Sequence, residues 1–172
     1  MNIMLKKLAG GDLRSIGNSD EIVKIILKNT GDFKHLFEGL YSADPVIRMR
    51  SADAIEKITQ TRPDLLYHYK NEILDLATKT EQKEMRWHFA QIMPRLDLAE
   101  HERKHAFHII EGYLNSQSAI VQACSLECLY DLGEKDAVLR EKAIDYLQQG
   151  LESNYKAVQA RSRKILSKND VK

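Results

Sequence analysis

The sequence predicts an all-α protein, a short α-solenoid of antiparallel helix pairs, and two observations carry that prediction. The first is a repeat whose anchor residues recur at steps of 38, 36 and 37: Ile47-Arg48, Met85-Arg86, Val121-Gln122 and Val158-Gln159. A self-similar period of this size is typical of stacked helical repeats. The second is the lack of strand signals, since no sustained apolar–polar alternation occurs and Gly and Pro lie mainly at the predicted joints between helices.

Apolar residues follow the anchors at matching offsets and predict one buried face per repeat. The matching sets are Ala52, Ile55 and Ile58; Ala90, Met93 and Leu96; and Leu126, Leu129 and Leu132. The fourth repeat fits less well, because Arg163 takes the first place and Leu166 the second. Such a face needs a neighbouring repeat to cover it, and the terminal repeats need polar outer faces.

Capping and proline signals give the helix boundaries. Asp44-Pro45 is an N-cap followed by proline at the first helical position. Asn18–Glu21 and Asp97–Glu100 resemble capping boxes, and Pro94 is expected to kink or shorten its helix. The predicted helices span 2–9, 19–29, 32–42, 45–61, 63–78, 81–95, 98–115, 117–132, 136–152 and 154–168.

The helices are expected to form a single domain over residues 1–172. Residues 1–31 form an N-terminal helical cap, and residues 32–168 form about four pairs of an A helix and a B helix. The connections are short, so neighbours in sequence are expected to be neighbours in space.

The segment Asp44-Pro-Val-Ile-Arg48, followed by Ala52, Ala54-Ile55 and Ile58, resembles the second-helix motif of the HEAT-repeat family. The resemblance covers about residues 32–168 and implies a right-handed superhelix whose B helices line a concave groove. In that family a B-helix arginine commonly bonds an aspartate at a neighbouring turn. Arg48 and Arg86 match this pattern, whereas Gln122 and Gln159 depart from it, so the ladder is expected to be incomplete.

HEAT proteins mostly serve as scaffolds and binding surfaces, so the resemblance implies a non-catalytic module that binds a protein or peptide. Some related helical-repeat proteins are DNA glycosylases, so a nucleic-acid-binding or base-repair protein is the alternative. With 26 Lys and Arg against 25 Asp and Glu, the charge disfavours a strongly basic nucleic-acid binder. No membrane-length apolar stretch or secretion signal is evident, so no membrane partner and a cytoplasmic location are expected.

The polar side of the B helices is the predicted partner-binding surface. Its residues are Met49, Asp53, Glu56, Trp87, Gln91, Glu127, Tyr130 and Lys164. One position on this side is apolar in every repeat: Met49, Trp87, Ala123 and Ala160. It is either an apolar binding stripe with Trp87 as its anchor, or a seam where successive B helices pack closely.

Residues His101–His105 match the H-E-x-x-H pattern of zinc proteases, and His108 adds a third imidazole on that side. The core side of this helix carries Ala106 and Ile109, so the histidines are expected to face away from the core, where no walled cavity excludes water. Arg103 and Lys104 also fill the motif with charge. We therefore interpret the match as coincidental and predict no enzyme, metal or cofactor.

Cys124 and Cys128, four residues apart on one helix, are poorly placed for a disulfide and are expected to be structural thiols. The hint of nucleic-acid binding lies at the C-terminus, in Lys156, Arg161, Arg163, Lys164, Lys168 and Lys172. Arg48, Arg50 and Arg86 could extend this basic track along the B helices. A polar end cap explains the C-terminal charges equally well.

Overall fold

The computed structural model describes residues 3–169, and over that range the chain is built from helices and turns without β-strands. The α-helices are α1 (Ile3–Leu8), α2 (Ser19–Lys28), α3 (Phe33–Phe37), α4 (Pro45–Thr59), α5 (Lys70–Lys79), α6 (Lys83–Ile92), α7 (Glu100–Tyr113), α8 (Ala119–Leu132), α9 (Ala137–Leu151) and α10 (Lys156–Asn169). Short 3-10 segments span Thr30–Asp32, Glu38–Tyr41, Pro63–Leu66, Met93–Arg95 and Gly133–Lys135. The all-α prediction is confirmed. None of the helices described is both long and apolar enough to cross a membrane.

Two predicted helices are interrupted. The helix expected over 32–42 is α3 flanked by two 3-10 segments, and the one expected over 63–78 is a 3-10 segment, a turn and then α5. In the second case, Tyr67 N–H donates to the Asp64 carbonyl and Tyr69 N–H donates to the Leu66 carbonyl, which tightens the chain into a turn. Pro94 shortens its helix as predicted, because α6 ends at Ile92 and a 3-10 segment follows.

Of the three helix caps predicted at Asp44, Asn18 and Asp97, only the one at Asp44 is present among the described residues. Asp44 caps α4, since its Oδ1 accepts a hydrogen bond from Val46 N–H at 2.8 Å. Asn18 forms no side-chain cap, and its amide Nδ2 donates a hydrogen bond to the Lys7 carbonyl at 3.0 Å. The box expected at Asp97–Glu100 is also wrong. Ala99 precedes α7, and the Glu102 carboxylate accepts the Ala99 N–H at 2.7 Å.

The chain divides into two compact units, residues 1–72 and residues 73–172. In the first unit, α4 packs against α1, α2 and α3. In the second, α8 packs against α6, α7, α9 and α10. The predicted core register is confirmed in both, because the predicted apolar positions of the first three repeats are all less than one-tenth exposed.

One turn geometry recurs four times at the repeat period. The side chains of Arg48, Arg86, Gln122 and Gln159 donate to the carbonyls of Ser42, Thr80, Ser116 and Ser153, six residues earlier, at 2.7, 2.9, 2.6 and 2.7 Å. The hydroxyls of those four Ser and Thr residues accept backbone N–H groups two residues later. Gln122 and Gln159 therefore make the same turn bond as Arg48 and Arg86. The expectation of an incomplete ladder concerned bonds from arginine to aspartate, so it stays a prediction.

Candidate partner-binding surface

The three predicted surface residues of the first unit are buried. Met49 is 3% exposed, and Asp53 and Glu56 are each 6% exposed. The Asp53 carboxylate accepts a hydrogen bond from the Ser19 hydroxyl, and Lys57 Nζ lies 2.8 Å from the same carboxylate. The N-terminus of α2 thus covers this side of α4. The prediction that these residues present a binding surface is corrected, because the helical cap was not expected to occupy their side of α4.

Arg50 is buried as well, at 3% exposure, and binds the loop between α1 and α2. Its Nη1 donates to the carbonyls of Leu8 at 2.8 Å and Gly10 at 2.7 Å, and its Nε donates to Ser15 at 2.9 Å. Gly17 has a φ of +53°, and a Cβ there would lie 2.6 Å from the guanidinium carbon. Arg50 therefore stabilises a loop. The sequence suggested that it could extend a basic track along the B helices, and its burial contradicts that suggestion.

The other five predicted residues lie on helices of the second unit that pack side by side. Trp87 and Gln91 lie on α6, Glu127 and Tyr130 on α8, and Lys164 on α10. Because α8 packs against both α6 and α10, these residues come from three adjacent helices. Lys164 is exposed and the other four are half-buried. We call these five residues the B-helix row.

Contacts within and beside the B-helix row hold its side chains in place. Glu127 forms an ion pair with Arg161, which joins α8 to α10. The Gln91 amide donates to the Trp87 carbonyl at 3.3 Å. The guanidinium of Arg140 lies 3.2 Å from the centroid of the Tyr130 ring and also donates to the Tyr130 carbonyl at 2.7 Å. Such restraint lowers the entropy that these side chains would lose on binding.

The recurring apolar position does not form a continuous stripe. Met49 and Ala123 are buried, Trp87 is half-buried and Ala160 is exposed. Burial of Ala123 on α8 agrees with the close-packing interpretation at that position, whereas Met49 lies on the side of α4 that α2 covers. Trp87 remains partly accessible, with its ring 5.6 Å from that of His88.

The H-E-x-x-H segment has a local structural role at the start of α7. Glu102 caps the helix through Ala99, while His101 and His105 are exposed. His108 Nδ1 lies 3.4 Å from Oε2 of Glu111. Between residues 3 and 169, no group of three or more His, Cys, Asp or Glu side chains is arranged to hold a metal ion.

The C-terminal cations differ in their contacts. Arg161 is paired with Glu127, whereas Lys156, Arg163, Lys164 and Lys168 are exposed on α10. Lys172 lies outside the described residues. Neither Cys124 nor Cys128 forms a disulfide, as predicted, and burial raises the pKa of the Cys128 thiol well above its ordinary value.

One polar cluster was missed in the sequence. The Glu111 carboxylate of α7 accepts a hydrogen bond from the Tyr146 hydroxyl at 2.5 Å and binds Lys142 Nζ at 2.5 Å, both from α9. Burial raises the Glu111 pKa, but the hydrogen bonds from Lys142, Tyr146 and His108 and the positive charge of Lys142 together outweigh it, so the pKa is lowered. No motif or capping signal in the sequence links Glu111 to Lys142 or Tyr146, so only the contacts between α7 and α9 reveal the cluster.

Comparison of the chain with known protein families, curated proteins and solved structures found no match.

Proposed function

We propose that this chain is a non-catalytic interaction module, a HEAT-like solenoid of antiparallel helix pairs that binds a protein or peptide on the B-helix row. The observation that carries the proposal is the packing of α8 against both α6 and α10, with accessible polar side chains on all three helices and an aromatic side chain on α6 and on α8. The four equivalent turns support the repeat architecture, because one bond recurs at the repeat period.

The chemistry of the row favours a protein partner. Trp87 and Tyr130 offer large contact areas with few rotatable bonds, as aromatic residues do at the centres of interfaces. Glu127 and Lys164 bring one charge of each sign, so the row has no strong preference for a polyanion. Because Met49, Asp53 and Glu56 are buried, the proposed surface excludes them.

Trp87→Ala tests the proposal when binding and stability are measured on the same protein. We expect capture of partners from the native cell to fall, with about 2 kcal/mol or more of binding lost for a purified partner. The melting temperature should change little. The control is Val138→Ala, which truncates an apolar side chain that is 74% exposed and lies outside the row. A lower melting temperature with unchanged binding by the folded fraction would place Trp87 in the packed seam and contradict the proposal.

A nucleic-acid-binding module is the second candidate, supported by the exposed Lys156, Arg163, Lys164 and Lys168 of α10. Binding through phosphates weakens steeply with salt, by about a thousandfold or more between about 50 and 200 mM for six or more contacts. A salt titration with duplex and single-stranded DNA therefore separates the candidates. Binding that is salt-sensitive and lost in Arg163→Ala/Lys168→Ala would favour nucleic acid.

A further inference from the structure

The first unit carries a series of aromatic rings outside the B-helix row. The Phe37 ring centroid lies 4.1 Å from that of Tyr69 and 6.3 Å from that of Tyr41. Phe37 is 3% exposed, Tyr69 is half-buried and Tyr41 is 56% exposed. The buried Phe37 ring thus contacts the half-buried ring of Tyr69 and lies near the exposed ring of Tyr41. The Tyr69 ring also packs against that of Phe33, with the ring centroids 5.6 Å apart. We call Phe37, Tyr41 and Tyr69 the aromatic strip.

Two carboxylates act on Tyr69 of the aromatic strip, those of Glu38 and Glu72. The Glu38 side chain is 62% exposed with its Oε2 3.7 Å from Nδ1 of His35, and Glu72 is exposed as well. Burial raises the pKa of Tyr69, and the charges of Glu72 and then Glu38 raise it further, so both carboxylates act on the Tyr69 hydroxyl. An aromatic surface beside negative charge attracts cations, because ring faces and carboxylates both favour positive charge.

We propose that the aromatic strip, with Glu38 and Glu72, docks an arginine side chain presented by a peptide segment of a partner protein. A guanidinium fits because it is planar, is weakly hydrated, stacks on aromatic rings and bonds carboxylates through two parallel N–H groups. The second unit contains such pairs within the chain: Arg140 lies 3.2 Å from the Tyr130 ring centroid, and Arg86 lies 5.2 Å from that of Tyr113. The proposal is independent of the B-helix row.

Amide chemical shifts of the full chain, titrated with an acetylated Gly-Arg-Gly-Arg-Gly peptide, provide the test. We expect saturable shifts centred on Tyr41, Tyr69 and Glu72. The same peptide with citrulline in place of arginine keeps the shape but removes the charge, and it should bind at least about fivefold more weakly. Equal binding of both peptides would contradict a cation site.

Variants of the strip separate the contributions of rings and charges. Tyr41→Ala should weaken arginine-peptide binding about two- to fivefold, since exposed cation–π contacts are individually weak. Glu38→Gln/Glu72→Gln should weaken it at least as much. Tyr155→Ala and Glu134→Gln serve as controls, because they alter exposed residues of the second unit. Thermal melts check that every variant is folded.

Three results would overturn the proposal. The first is no shift at the strip up to millimolar peptide, and the second is a shift confined to the B-helix row. The third is tighter binding at the strip of a uridine oligonucleotide, whose bases also stack on aromatic rings. Because the first and third results concern the strip alone, they leave the proposed function of the B-helix row untouched.

Discussion

Small residues let the helices of a pair approach closely. Gly150 of α9 faces Ser162 of α10, and Gly39 faces Ser51 of α4 at the same repeat position, three repeats earlier. A Cβ on either glycine would overlap the facing hydroxyl oxygen. Within the described residues, neither serine hydroxyl has a hydrogen-bond partner. Small volume therefore explains the serines better than hydrogen bonding does.

Gly150→Ala should destabilise the protein by about 1–3 kcal/mol, because the added methyl group needs space that the crossing lacks. Urea unfolding measures the change. Gly112→Ala is the matched control. Gly112 is an exposed residue of α7, and a Cβ added to it would have no other atom within 4 Å. It should stabilise the helix by about 0.5–1 kcal/mol. The double variant Gly150→Ala/Ser162→Ala should regain part of the lost stability, because the facing hydroxyl is removed. Equal stability of Gly150→Ala and Gly112→Ala would contradict the close crossing of α9 and α10.

At the scale of elements, the repeated turn explains why two residue types share one position. Arginine and glutamine both reach the carbonyl six residues earlier. Gln122→Ala should cost about 0.5–1.5 kcal/mol of unfolding free energy, the usual net contribution of a hydrogen bond. Gln122→Arg should retain most of the wild-type stability, because Arg48 and Arg86 make the same bond in their own turns. If arginine destabilises as much as alanine does, the turns are not equivalent.

The Glu111 cluster makes the link between α7 and α9 sensitive to acid. The pKa of Glu111 is lowered in the folded chain. Its contribution to the free energy of unfolding is therefore complete above the unfolded pKa, whose ordinary value is 4.5. That stabilisation is lost as pH falls through the pKa of the folded state. Glu111→Gln should therefore be less stable than the wild type at pH 7, and the gap should narrow near about pH 3. Urea unfolding at both values measures it, and a gap that widens on acidification would contradict the assignment.

Local signals succeeded where a residue acts within its own helix. The Asp44 cap, the end of α6 before Pro94 and the buried register from Ile47 to Leu132 depend on neighbours a few positions away. The expected caps at Asn18 and Asp97 are absent. The Asn18 amide bonds the Lys7 carbonyl of α1, and α7 begins two residues later than predicted, so that Ala99 and Glu102 form its first cap contact. Element type was therefore predictable, and the exact terminal residues were not.

At the scale of the molecule, the sequence could predict which side of a B helix is polar, but not what lies on it. Asp53 and Glu127 occupy equivalent positions, yet Asp53 is buried beneath α2 and Glu127 is half-buried beside Arg161. Likewise Arg50 was expected to be solvated, and the loop carbonyls that surround it lie thirty or more residues away. The predicted surface residues are thus at least partly exposed in the second unit and buried in the first, because long-range packing decides exposure.

The two compact units lead to a prediction about how the whole chain folds. The sequence favours a single domain over residues 1–172, whereas the chain divides into two compact units. The second unit contains its own buried core, including Val121, Leu129, Leu147, Val158 and Ile165. A fragment of residues 63–172 keeps α5 intact and has the size of a typical domain. We expect it to retain a helical circular dichroism spectrum and a cooperative melt.

A matched fragment makes this test decisive. Residues 63–142 keep α5 to α8 but lack α10 and most of α9. Ala123 and Leu126 therefore lose the apolar side chains of Leu147, Val158 and Ile165 from their cluster. This shorter fragment should melt without cooperativity, because a repeat cannot bury its apolar face alone. If residues 63–172 also melt without cooperativity while the full chain melts in one transition, the single-domain prediction is correct and the second unit is not autonomous. Cooperative thermal melts of both fragments would instead show that α5 to α8 contain the stable core.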